Sequence, residues 1–528
     1  MTLAEQVAHS RRRKTPRALW ITGVAVLIPV VLPIVLLFWR VVGASEAAWQ
    51  TLFSARTGSL LIRTAIFTAA VTAAATAIGV ASAWLVARTT LTLRKTFGVL
   101  LALPLVIPSY VLALTLISAF GPRGLVADLT GIPLPQLSGA LGAWLALTLA
   151  TYPYVYLVVV VRLGRMDGRL ENAAQGLGAS RNRVFWTVTL PQLRPHIAAG
   201  ALLVALYTLS DFGAVSLMRF DAFTNVIYAQ YQGRLDRTPS AVLSAALILI
   251  AVIVLIIERR TRGKAAYFSA RPEREILPMA LSKRQHRSAL GFVLAIVGGS
   301  LVLPVSVLAV WLWRGLSRGD TLLLRADAVW GSIGVSVAAG ALAALLVVPL
   351  LLLTVRYRNR FAGAMETAVY LIYSLPHIAV GLAMVVFAAN YATALYQSTV
   401  LLVVTYSVVF LAQAMGPGRA ALLRVSPHLE EAARSLGKSP FEAMRDVTFP
   451  LVYRGLAAGG VLVFLTTMKE LPITLLLRPT GFDTLAVRIW SSANDLFYAR
   501  AAAPALLLLA VSAVPMYLLV IRPRETPT

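Results

Sequence analysis

One short polar segment occurs twice in this chain. Residues Leu170–Pro191 read LENAAQGLGASRNRVFWTVTLP and residues Leu429–Pro450 read LEEAARSLGKSPFEAMRDVTFP, identical at ten of 22 positions without a gap and 259 residues apart. A repeat on that scale constrains the fold more than any single motif, because the same unit must be built twice from one chain. Each copy lies between long apolar runs. The chain therefore reads as two tandem halves, 1–257 and 289–528, joined by a basic connector at 258–288, with the repeated segments inside 162–195 and 419–455.

The apolar runs are about 20 residues long, which is what a helix needs to cross a hydrocarbon core of about 30 Å at a rise of about 1.5 Å per residue. Hydrophobic residues make up 58% of the chain and charged ones 13%, against about 25% charged in soluble domains. Mean hydropathy is +0.77. These values imply an all-α polytopic membrane protein. Twelve spans are expected, near 18–42, 60–87, 97–120, 138–161, 196–217 and 240–257, then 289–313, 331–355, 364–389, 396–415, 456–477 and 501–521. The basic run Arg11 to Lys14 resembles a signal sequence, but the apolar run behind it is too long for a cleaved one, so an uncleaved first span is expected. So apolar a run also fits twin-arginine export poorly.

The net charge of +26 is patterned. Seven segments, at 11–17, 88–95, 162–194, 259–287, 356–360, 419–454 and 522–524, hold 34 of the 48 Lys and Arg. They fall on every second loop, which places both termini and both repeated segments in the cytoplasm of a cell-membrane protein. Charge distributed this way is not a nucleic-acid stripe, and no nucleic-acid partner is expected. The nine basic residues of the connector suit anionic membrane lipid, although orientation alone also accounts for them. The chain has no cysteine, so disulfides, thiolate metal sites and a Cys nucleophile are excluded.

The repeat extends beyond the polar segment. Asp211 and Glu470, Arg219 and Arg478, and Phe223 and Phe482 keep the 259-residue spacing, whereas Pro108 and Pro376 are 268 apart. The first half thus carries nine extra residues in between, and the Gly- and Pro-rich loop Gly121–Ser138 is where a chain absorbs them most easily. Within each copy, Glu171–Gly178 and Glu430–Gly437 have the composition of a short Ala-rich helix ended by glycine in a left-handed conformation. Ser180 and Ser439 are N-caps for a second helix reaching Pro191 and Pro450. Two short helices outside the bilayer, joined by a glycine turn, are expected. A Glu in the first turn is favoured by the helix dipole and leaves its carboxylate available to a partner arginine.

Glu-x-Ala-Ala followed three residues on by Leu-Gly resembles the EAA loop of type I, binding-protein-dependent ABC importer permeases. The resemblance rests on Glu171, Ala173, Ala174 and Gly178, and on Glu430, Ala432, Ala433 and Gly437. It implies two permease repeats of pseudo-twofold symmetry and coupling helices that dock on two copies of a cytoplasmic ATPase. A solute-binding protein is implied on the far side. Asn172 departs from the acidic residue seen at Glu431, and the first loop is expected to hold its ATPase differently. Ser210-Asp211-Phe212-Gly213-Ala214, Lys469-Glu470-Leu471-Pro472, Leu476–Pro479 and Gly481–Ala486 are similar to segments of fused ferric-iron permeases. Fused thiamine and phosphonate permeases share the layout.

Gly437-Lys438-Ser439 imitates the end of a phosphate-binding loop, but Ala432 stands where that loop needs its first glycine. Leu137-Ser138-Gly139 echoes an ABC signature beside an outward loop. ATP hydrolysis therefore belongs to a separate subunit, and the chain is not an enzyme. Charged residues inside spans are functional candidates by default, which singles out Asp211, Lys469 and Glu470 as gate or pathway residues, with Arg219, Arg478 or backbone groups as structural partners. Pro108 and Pro376, with Pro104, are expected to kink or break their spans, and broken helices often line substrate paths. Tyr110, Tyr152, Tyr154, Tyr207, Tyr373 and Tyr406 offer oxygen ligands or simple packing. His196, His286, His377 and His428 show no ligand spacing, so neither a resident metal nor another cofactor is expected. A gradient-driven secondary transporter is the rival reading; it predicts more intramembrane carboxylates and no repeated docking loop. A membrane enzyme lacks a catalytic cluster.

Overall fold

A computed structural model describes residues 17–516 except 123, 165, 167, 234–237, 262–278, 320–324 and 358–359. The described residues are helical, with one isolated bridge between Thr89 and Met279. Nine helices among them are long and apolar enough to cross a membrane. Three more spans come from bent helix pairs, which brings the number to as many as twelve. The basic residues expected at 11–14, four of the connector's nine (Arg262, Lys264, Arg271 and Arg274) and those at 522–524 lie outside the described residues.

Two of the three bends fall where the sequence places proline. Arg94–Val106 meets Ser109–Ala119 at 97°, and Arg360–Tyr373 meets His377–Tyr391 at 103°. Pro108 and Pro376 are the extended N-cap residues of the second helix in each pair. Proline has no N–H and disfavours a helical residue before it, so a helix can begin with one but not run through it cheaply. These are breaks, not kinks. A third pair, Thr399–Val409 and Leu411–Arg424, bends by 51°.

The chain forms two compact units. One comprises Met1–Ser45, Leu324–Arg488 and Ala510–Thr528, and the other Glu46–Leu323 and Ile489–Leu509. The helix Arg17–Val42, first in the chain, thus packs with the second repeat, against His377–Tyr391 and Thr399–Val409. Its Val30 and Leu37 are fully buried, and the Trp20 and Phe361 rings meet edge to face at 5.6 Å. Conversely, Leu303–Ser317 packs on Ser109–Ala119 of the first repeat. Tandem likeness records ancestry of sequence, whereas a peripheral helix joins whichever core its apolar stripe fits.

The extra residues of the first half do not form a bare loop. They fold in part as the short helix Leu125–Thr130. Leu125 closes a cluster with Ala119 and Val307, flanked by Trp311, and Arg314 pairs with Asp128 at 2.9 Å.

Close helix contact in each unit depends on glycine, as expected where lipid supplies no hydrophobic drive between helices. In one unit a Cβ on Gly340 would lie 2.5 Å from the Gly460 carbonyl oxygen. In the other, Cβ atoms on Gly79 and Gly200 would both run into Val155, at 2.7 and 2.8 Å.

Candidate functional site

The repeated segment begins with a short helix in both copies, Arg169–Gly176 and Pro427–Ser435. Each ends as the glycine composition requires. Gly178 has φ +84° and Gly437 φ +90°, and nothing lies within 4 Å of where either Cβ would be. The glycines are therefore demanded by backbone conformation, not by crowding. The amide of the next residue returns to the helix, Ala179 to the Ala174 carbonyl at 3.0 Å and Lys438 to the Ala433 carbonyl at 3.1 Å.

The second helix differs from the expected short one. Ser439 caps it in a reciprocal capping box with Glu442, and Ser180 accepts from the Arg183 amide at 3.4 Å. Neither helix stops at its proline. Each passes through one π-helical stretch, Phe185–Thr189 or Met444–Thr448, and continues as the span Leu190–Ser210 or Phe449–Met468. Pro191 and Pro450 sit in the first turn after the widened stretch. A π-turn relaxes the hydrogen-bond register just where proline cannot donate, so the helix survives.

The two glutamates are not left free for a partner, as the sequence suggested. Glu171 is buried; its Oε2 and Oε1 accept from Nη1 and Nη2 of Arg88, both at 3.4 Å, and Oε1 also accepts from Thr189 at 2.8 Å. In the second copy, Glu430 Oε1 lies 3.4 Å from Arg356 Nη2 and accepts from Thr448 at 2.9 Å. Arg356 also donates to the Val425 carbonyl at 2.8 Å. Arg88 ends the span Ala55–Arg88, and Arg356 ends the π-stretch that closes the span Ala326–Leu351. Arg88 and Arg356 stand 268 residues apart, the same spacing as Pro108 and Pro376. That spacing marks the two arginines as equivalent in the sequence but does not say what they touch.

Each short helix is thus fastened at one turn to two spans, through an arginine on one and a π-turn threonine on the other. Its opposite face is open. Ala173 and Ala432 are exposed, Ala174 and Ala433 face inward, and Leu177 and Leu436 are 90% and 85% exposed at the tips. Such a body transmits a push on its outer face to both spans at once. The copies differ at their surface: Glu431 pairs with His428 at 2.9 Å, while Asn172 is exposed.

The intramembrane carboxylates also follow the repeat. Asp211 accepts from the Ser109 hydroxyl and from the amides of Ala214 at 3.0 Å and Val215 at 3.3 Å, capping the helix Gly213–Leu217. Glu470 lies 3.0 Å from His377 Nδ1 and accepts from the Ile473 amide at 3.3 Å at the start of Pro472–Leu477. Ser109 and His377 directly follow the break prolines. Each acid therefore joins two interrupted helices of its own unit. Neither pairs with the conserved-spacing arginines: Arg478 binds Asp483 at 2.7 Å, and Arg219 has a left-handed φ of 53°. Lys469 is half-buried at the end of Phe449–Met468. Of the tyrosines, Tyr406 bonds Thr474, Tyr152 lies 3.4 Å from Ser300, and Tyr154 packs on Tyr207.

Two units with broken spans, each holding a short helix clamped to two spans, are the architecture of a membrane permease. A family model described as a binding-protein-dependent transport system inner membrane component matches residues 75–262 and again 336–522, and the chain belongs to that family. It is a multi-pass membrane protein, the permease component of an ABC importer, and not itself catalytic. The chain is 33% identical to the Fe(3+)-transport system permease protein FbpB 2 of Haemophilus influenzae over 509 residues, 95% of this chain and 97% of that protein. It is 36% identical over 140 residues to the molybdenum transport system permease protein ModB of Escherichia coli K12, 26% of this chain and 60% of that one. Against the ModB of Mycobacterium tuberculosis the identity is 29% over 248 residues, 46% of this chain and 92% of its relative.

Proposed function

We propose that this chain is the membrane pathway of a ferric-iron importer, working with two copies of a cytoplasmic ATPase and an extracytoplasmic solute-binding protein. The observation that carries the iron reading is the end-to-end likeness to a double-length Fe(3+) permease, covering 97% of it. The molybdenum permeases match only part of this chain. Both termini and both clamped helices face the cytoplasm, a placement supported by the alternation of basic loops. The halves 1–257 and 289–528 supply one coupling helix each. Closure of the ATPases pushes on the open faces around Ala173, Gly178, Ala432 and Gly437, and Glu171 and Glu430 pass that displacement to the spans through Arg88 and Arg356. Asp211, Glu470 and Lys469, with the breaks at Pro108 and Pro376, form the gates. The caps on Asp211 and Glu470 support a gating role over direct cation ligation, since their oxygens are already committed.

The test is uptake of radioactive iron by vesicles carrying the chain, its ATPase and its binding protein, in wild type and in Gly178→Asp and Gly437→Asp. ATP-dependent uptake, competed by unlabelled ferric complexes but not by thiamine, phosphonate or molybdate, is expected, with loss of ATPase co-purification in the variants. Full uptake with no ATPase attached would exclude the coupling reading. Uptake of another solute alone would exclude iron.

A further inference from the structure

Within the unit that holds the first repeat, a cavity of about 640 Å³ opens between the helices Glu46–Leu52, Ala55–Arg88 and Phe223–Gly233. Its wall carries Arg56, Arg63, Gln50, Asn225 and Gln230, with Asp221 as its single acid. Two guanidinium groups against one carboxylate leave the cavity cationic. Neither Arg56 nor Arg63 has an ion-pair partner among the described residues.

The corresponding position of the second repeat is closed. In sequence register, Gly331 stands where the first repeat has Arg63. A Cβ on Gly331 would meet the Asp483 carbonyl oxygen at 2.6 Å, so that span lies directly on the segment beside it. Asp483 there pairs with both Arg478 at 2.7 Å and Arg488 at 3.3 Å. Its counterpart in the first repeat is Thr224, whose hydroxyl donates to the Asp211 carbonyl at 2.6 Å. The second repeat thus has a packed, ion-paired contact where the first has an open lining whose arginines have no ion-pair partner among the described residues. Planar guanidinium forks and amide N–H groups around a concavity are the donor set for an oxyanion.

Position adds a second constraint. Arg63 precedes Arg88 by 25 residues on one helix, or about 37 Å at helical rise, more than the hydrocarbon thickness of about 30 Å. The cavity therefore lies at the membrane face opposite the clamped coupling helix.

We propose that this cavity binds a small free oxyanion, inorganic (phosphate or sulfate) or a carboxylate such as citrate, at the outer face of the permease. The outward assignment rests on the functional reading above; the binding itself does not. An anion held there would stand beside the entrance of the first repeat only, giving the two halves unequal electrostatics toward whatever the binding protein delivers.

The test uses the full chain purified in maltoside micelles, where lipid phosphate is absent. Calorimetric titration with phosphate, sulfate and citrate should show one saturable site. Arg56→Gln/Arg63→Gln should weaken it by at least about tenfold, the loss expected for charge-assisted hydrogen bonds, while Arg318→Gln should not. Because the chain has no cysteine, Ser59→Cys gives a single thiol on the cavity wall, free of the folding risk of the double variant. A membrane-impermeant maleimide added to intact spheroplasts should label it, more slowly with citrate present. No saturable binding, equal binding in the double variant, or labelling that anions do not slow would overturn the proposal. So would a double variant that loses only capture of the binding protein, since the cavity would then be a socket for a protein carboxylate. Binding is read without transport, so failure of the iron reading leaves this result standing. Labelling from the cytoplasmic side alone would instead refute the orientation.

Discussion

The guanidinium of Arg88 faces the carboxylate of Glu171 fork to fork, both contacts at 3.4 Å, across 83 residues of sequence. The side chains are 4% and 10% exposed. Removing one partner of a pair this buried strands the other, at a cost of about 3–5 kcal/mol. Glu171→Gln and Arg88→Gln should therefore each lower the thermal stability of the purified chain and its ATP-driven uptake of solute. A double-mutant cycle should give a coupling of about 1–3 kcal/mol. A cycle that closes additively would show that the contact transmits nothing.

Gly178 and Gly437 require a left-handed backbone but have open space around them. A β-branched residue in that conformation costs about 1–2 kcal/mol, and asparagine much less. Gly437→Asn should keep most of the co-purified ATPase, and Gly437→Val should lose it. Equal retention would mean that the turn is not what positions the docking face.

The contact of Gly340 with Gly460 leaves no room for a methyl group, whereas Gly334 on the same helix has nothing within 4 Å. Overpacking costs about 1–3 kcal/mol. Gly340→Ala should reduce the yield of monodisperse protein and its midpoint of thermal unfolding, and Gly334→Ala should leave both unchanged.

Asp211 retains two backbone donors if Ser109 is removed, but Glu470 retains one if His377 is removed. An unsatisfied buried acceptor costs about 1–3 kcal/mol. His377→Ala should consequently reduce stability and uptake more than Ser109→Ala. The reverse order would mean that the two acids are not equivalent caps.

Much of the fold is visible in the residues. Runs of apolar length, the alternating basic loops and the twofold recurrence of Glu-x-Ala-Ala give helical spans and two repeats without any tertiary information. The breaks at Pro108 and Pro376 were readable because proline acts locally. The continuation of the second short helix through Pro191 and Pro450 was not, because a π-turn leaves no composition signature. The arginine partners of Glu171 and Glu430 were present in the register that aligns the prolines, but a like spacing says only that two residues are equivalent, not what they touch.

Sequence by itself determined the all-helical, membrane-spanning class, the repetition and the conformational needs of Gly178 and Gly437, since all of these follow from length, periodicity and backbone sterics within a few residues. Tertiary structure decided which core receives Arg17–Val42 and Leu303–Ser317, that the glutamates are clamped from within the chain, and that one repeat is open at Arg63 where the other is closed at Gly331. Those outcomes depend on surfaces meeting across 74 residues or more. The free energy that selects among such contacts is a property of two packed faces, and neither face carries it alone.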